Sequence, residues 1–131
     1  MSNQVQNLNT KKKYDLAERT ALFGEQIIEF AKILPDTFVT RPLVSQIIRS
    51  GTSVGANYME ADGAESKKDF RHKIAIAKKE AKETMHWLRM IAVVNAAYED
   101  ACKKLWQEAH ELVLIFSAIL LKNEKGDDQK T

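Results

Sequence analysis

Hydrophobic positions recur along the chain at alternating spacings of four and three, the signature of helices that each turn one apolar stripe toward a shared core. The first stripe is Leu16, Thr20, Phe23, Ile27, Phe30 and Leu34, with Asp15 as its cap, Glu18 three residues on, and Pro35 as its end. After a short connection at 35–40 comes Leu43, Ile47, Val54, Tyr58 and Ala61, for which Thr40 is the expected N-cap and Pro42 lies in the first turn. Asp62-Gly63 breaks that pattern. Ser66 with Asp69 opens a third helix, seamed by Phe70, Ile74, Ala77, Ala81, Thr84, Leu88 and Ile91. At about 1.5 Å per residue it is about 40 Å long. Asn95, beside two alanines that permit helix, marks the next turn. The fourth stripe is Tyr98, Cys102, Leu105, Ala109, Leu112, Phe116 and Ile119, and the chain then becomes the polar NEKGDDQKT.

No segment rich in Val, Ile and Thr alternates with period two, so no strand is predicted. Four amphipathic helices on short links favour antiparallel neighbours, and the spacing implies shallow left-handed crossings. The expected architecture is all-α, an up-down-up-down antiparallel four-helix bundle over 14–122, between flexible segments at 1–13 and 123–131.

Composition narrows the function classes only a little. The 131 residues suit one domain with a real core, and 44% hydrophobic with 29% charged is ordinary for a globular protein. A net charge of +2 is too slight to announce nucleic-acid binding, which leaves the distribution of charge as the informative quantity. Cys102 is the single cysteine, which excludes an internal disulfide and fits a reducing, cytoplasmic setting. Residues 1–13 lack the apolar run of a secretory signal, and LVLIFSAILL at 112–121 is half of what a membrane span needs. The expectation is a protein neither exported nor embedded in a membrane.

The distribution is uneven on the third helix. Lys68, Arg71, Lys78, Lys79, Lys82 and Arg89 fall together on a helical wheel, about 120° from the core seam. Such a ridge can neutralise phosphates, and Arg49 on the second helix is a further candidate phosphate donor; the plain alternative is a solvated face. No aromatic lies among these cations, so binding is expected to follow backbone shape rather than base identity. The opposite flank mixes Asp69, Glu80 and Glu83 with Ile76, Trp87 and Val94, a combination that suits packing on a neighbouring helix or a head-to-tail subunit contact. On the fourth helix Leu114 and Leu121 point away from the seam, and a helix apolar on all sides needs cover on all sides. A homo-oligomer is therefore expected, with Ile76, Glu80, Glu83, Trp87, Leu114 and Leu121 at its interface.

No catalytic constellation emerges. Gly51 and Gly55 in mid-helix read as close approach by a neighbouring helix, because there is no preceding strand for a phosphate loop. Gln46, Arg49, Ser50, Ser53, Asn57 and Glu60 form a polar flank suited to fixing helix register. Glu83 and His86 have the E-x-x-H spacing of bundle metal sites, but a second copy is lacking and both project outward. His72 and His110 have no ligand-spaced partners, and Cys102 sits on a seam as a small hydrophobe. Neither metal nor cofactor is expected.

The blocks YDLAERTALF at 14–23, LP at 34–35, QIIRSGTSVGANYMEA at 46–61 and SKKDFRHKIAIAKKEAKETMHWLR at 66–89 resemble the bacterial 23S rRNA intervening-sequence proteins. The accessory variability determinants of diversity-generating retroelements are similar in the same places. The resemblance implies a bundle that assembles into a ring, a homopentamer in the best-understood relatives. It also implies a basic surface used on nucleic acid and on a reverse transcriptase, with no established enzymatic activity. The expected function is a non-catalytic oligomeric adaptor that engages RNA or DNA, or an enzyme that processes them, through the third helix. The alternative is a purely structural homo-oligomer whose charges serve subunit contacts.

Overall fold

The computed structural model describes residues 15–130; the segment 1–13, expected to be flexible, lies outside them. Four helices follow one another, α1 (Leu16–Ile33), α2 (Thr40–Asp62), α3 (Lys67–Val94) and α4 (Glu99–Lys130), with a 3-10 turn at Ala96–Tyr98. They form an all-α, up-down-up-down bundle with no strand among the described residues.

Local chemistry sets the helix starts. The Asp15 carboxylate accepts from the Glu18 N–H at 3.1 Å, and the Ser66 hydroxyl from the Asp69 N–H at 3.0 Å. The Asn95 side chain accepts from the Ala97 N–H at 2.9 Å and turns the chain into α4. The start of α2 departs from expectation, because Thr40 lies inside the helix and Thr37 does the capping. The Thr37 hydroxyl accepts from the Thr40 N–H at 3.1 Å, while the Thr40 hydroxyl accepts from the Thr37 N–H at 2.9 Å, a reciprocal box. At the other end of the chain α4 continues past residue 122 to Lys130. Asn123 bonds its own helix at the Ile119 carbonyl, 2.9 Å, and Glu124 reaches Arg71 on α3 at 3.5 Å.

Every position of the α1 stripe is buried, and Phe23, Ile27, Ile47, Val54, Ile74, Leu88, Leu112 and Phe116 are fully enclosed in one core. Packing around that core is unequal. α2 with α3 and α3 with α4 share the longest contacts, α1 lies closely on α2, and α1 touches α4 along little of its length. Glycine permits the α1–α2 approach. A Cβ on Gly51 would stand 2.9 Å from both Cγ atoms of Ile27, and one on Gly55 would stand 3.3 Å from the Thr20 carbonyl oxygen. Between α1 and α4 a groove of about 760 Å³ remains, lined by Leu22, Phe30, Ile33 and Leu105. Arg19 spans it, donating to Glu108 at 3.0 and 2.8 Å in a fork.

Candidate nucleic-acid interface

The cap at Ser66 and the α3 seam together decide which residues of α3 face outward. With the seam turned to the core, Lys68, Lys79, Lys82 and Arg89 are exposed, and Lys78 and Arg71 are half-buried along their stems. Arg71 pairs with Glu124 of α4. Lys68, Lys78, Lys79, Lys82 and Arg89 have no carboxylate within ion-pair distance among the described residues. Cations without a carboxylate partner among the described residues are suited to phosphate, whose binding gains entropy by releasing counterions.

Arg49 does not stand with these cations. Its guanidinium crosses to α3, reaching Glu80 at 2.9 Å and Glu83, while its Nε donates to Gln46 at 3.2 Å. The Trp87 indole N–H donates to Glu83 at 3.1 Å. Beside them the buried hydroxyls of Ser50 and Thr84 meet at 2.9 Å, and two to three turns away Lys73 pairs with Glu60 at 2.7 Å. The polar flank of α2 therefore sets its register on α3 and leaves Arg49 engaged within its own chain. Glu80 is only 8% exposed, because it lies on the α2 side of α3 and Arg49 comes over it. Of the six residues expected at an interface, Glu80 and Glu83 are held by Arg49 and Trp87 by Glu83; Ile76 is half-buried; Leu114 and Leu121 are open to solvent.

Arg49→Ala strips the buried Glu80 carboxylate of its counter-charge and is expected to cost about 1–3 kcal/mol in urea unfolding. The half-exposed guanidinium keeps this below the loss from a fully buried pair. Adding Glu80→Gln to that variant should recover at least half. A double variant no more stable than Arg49→Ala alone would contradict the pairing.

Among the described residues no three His, Cys, Asp or Glu side chains converge as a metal site requires. Glu83 is occupied as above, and the exposed His86 stands edge-on to Trp87 at 5.0 Å. Cys102 is 3% exposed, and burial pushes its thiol up to about 11. Native protein at pH 8 is therefore expected to resist iodoacetamide while denatured protein alkylates fully; labelling at equal rates in both states would contradict the burial.

The sequence reading passed over a pair on α4. Trp106 and the exposed His110 stack with ring centroids 5.2 Å apart and planes at 27°. The contact of Arg71 with Glu124 at 3.5 Å places these two positions near each other across α3 and α4. Moving 18 residues along each antiparallel helix, from 71 to 89 and from 124 to 106, is five whole turns and about 27 Å. Arg89 and Trp106 thus occupy the same level and the same side of the α3–α4 seam as the pair that defines it. By the same register, Lys78 lies across from Ser117 and Lys82 across from Val113. The W-x-x-x-H spacing off the fourth seam was the available signal, but without the register nothing tied it to the cations.

No helix of the described residues is long and apolar enough to cross a membrane. None of the curated proteins matches the chain. A crystal structure of a protein of unknown function from the S23 ribosomal protein family of Bacteroides thetaiotaomicron VPI-5482 is 30% identical, with a TM-score of 0.70 over 79% of this chain and 96% of that one. The sequence model for 23S rRNA-intervening sequence proteins matches residues 12–118, a span that takes in α1, α2, α3 with all its ridge cations, and α4 as far as the stacked aromatic pair and beyond. On that match the chain belongs to the 23S rRNA-intervening sequence protein family.

Proposed function

We propose that this protein is a non-catalytic, oligomeric four-helix bundle that acts as an adaptor, with the outer face of α3 engaging the backbone of RNA or DNA. The same face could seat an enzyme that processes nucleic acid, such as a reverse transcriptase. The observation that carries this reading is the set of Lys68, Lys78, Lys79, Lys82 and Arg89, without carboxylate partners among the described residues and aligned on one face. From 68 to 89 they span about 30 Å at 1.5 Å per residue, some nine steps of a nucleic-acid strand at 3.4 Å each. The proposed binding set leaves out Arg49, whose guanidinium is paired with Glu80 and Glu83. Those two carboxylates would oppose the approach of a phosphate.

Assembly is the second element of the proposal. Leu114 and Leu121 are 55% and 54% exposed on a helix whose opposite side is already buried, and large apolar side chains in a stripe favour cover by a second copy. Repetition of the bundle would array the ridges, and a ring, a pentamer by family resemblance, is the closed form of such a contact. The buried free thiol of Cys102 suits a reducing, cytoplasmic setting. A purely structural homo-oligomer is the competing reading, favoured by the same two leucines. Light scattering is expected to give a multiple of the 14.9 kDa chain mass, and filter binding in low salt should retain RNA or duplex DNA. A protein that retains neither on the filter ends the adaptor reading, and a 14.9 kDa species at high concentration ends the oligomeric one.

A further inference from the structure

Resting on the ridge reading, the α3–α4 seam carries a more specific arrangement than a strip of charge. Phosphate-binding cations read the backbone and make no contact with the bases, whether paired or not. An aromatic surface beside the cations can tell the two apart, since only an unpaired base offers its ring face. That is the arrangement at the upper part of the seam. Trp106 and His110 form a stacked pair, 5.2 Å between centroids, and both are exposed. Arg89 stands at the level of Trp106 across the seam, with Lys82 about two turns below it on α3.

We infer that the Trp106–His110 pair is a stacking platform for an unpaired base of single-stranded RNA, whose flanking phosphates are held by Arg89 and Lys82. The arrangement has the two parts such a ligand needs, an exposed aromatic pair and cations on the same side of the α3–α4 seam. Unpaired bases splayed from loops and ends are the form in which RNA offers itself to aromatic side chains, whereas an A-form duplex keeps its bases stacked away. Both rings are exposed, so an incoming base has an aromatic surface to stack on. Charge complementarity with Arg89 and Lys82 selects this occupant over an apolar protein segment, which would leave both cations desolvated and unpaired.

The test uses full-length protein carrying Trp87→Phe, so that Trp106 is the one indole, with three probes of equal length: single-stranded RNA, RNA duplex, and single-stranded DNA of the same sequence. Single-stranded RNA is expected to quench Trp106 fluorescence on binding, and the duplex to leave it unchanged. His110→Ala and Trp106→Leu should each weaken single-stranded RNA binding by roughly 5- to 100-fold and leave duplex affinity within a factor of two. His110 is exposed, so its variant keeps the test decisive if Trp106→Leu fails to fold. If both variants bind single-stranded RNA as tightly as the parent while Lys82→Glu weakens every probe, the platform is refuted and the ridge reading stands. A parent that binds no probe refutes the ridge reading itself. Tighter binding of the DNA strand with the same dependence on Trp106 would overturn the assignment to RNA.

Discussion

Gly51→Val is expected to lower stability by about 1–3 kcal/mol, the cost of forcing side-chain volume into a packed interface. A Cβ at this position would come within 2.9 Å of two carbons of Ile27. Ile27 is fully buried and β-branched, so it cannot swing aside as a long side chain would. Nor can α1 simply slide, because one turn further on a Cβ at Gly55 would already stand 3.3 Å from the Thr20 carbonyl. The helices must separate, and the core beneath them loses contact. In thermal unfolding the midpoint should fall by about 4 °C for each kcal/mol lost. Gly51→Ala should show a smaller loss, and Ile27→Val should cost less in that background than in the parent, because the two changes relieve one another. A Gly51→Val protein with the parent's midpoint would contradict the close approach.

The joint change Lys78→Glu and Lys82→Glu is expected to weaken binding of RNA or DNA by roughly 100-fold at low salt, since two phosphate contacts are lost and two repulsions introduced. The effect on folding should be small. Neither lysine has an ion-pair partner among the described residues, Lys82 is exposed, and like charges four apart on a helix cost only about 0.2–0.5 kcal/mol. Sedimentation of the same variant separates the two readings of this surface. If binding falls while the assembly keeps its mass, the ridge is a nucleic-acid surface. If the assembly comes apart instead, the charges serve subunit contacts and the structural reading prevails.

Much of the fold was legible because burial and periodicity report the same fact. Leu16, Thr20, Phe23, Ile27, Phe30 and Leu34 are spaced so that one face of a helix is apolar, and all six are buried. The caps at Asp15 and Ser66 were readable for a similarly local reason, each needing only a residue three positions on. Thr37 and Thr40 show where local reasoning ends. Either threonine can cap, and the pair resolves it by each bonding the other's N–H.

The site was less legible because its partners are distant in sequence. On a wheel Glu80 is an acid beside the seam, and only Arg49, 31 positions earlier on another helix, turns it into a buried pair. Arg49 was accordingly grouped with the phosphate-binding cations, and the structure gives it to Glu80 and Glu83 instead. The ridge itself was visible because it lies within one helix. Trp106 and His110 were not connected to it because that connection runs through the register of two helices, and the contact of Arg71 with Glu124 that defines the register cannot be read from periodicity.

The most direct test of the central claim, that the outer face of α3 is a phosphate-binding surface, is the salt dependence of duplex binding by the unaltered protein. Five cations each displacing a counterion give a slope of about −4.5 for log affinity against log salt, so affinity should fall by roughly 500-fold between 50 and 200 mM. A slope near zero, or no binding at 50 mM, would contradict it.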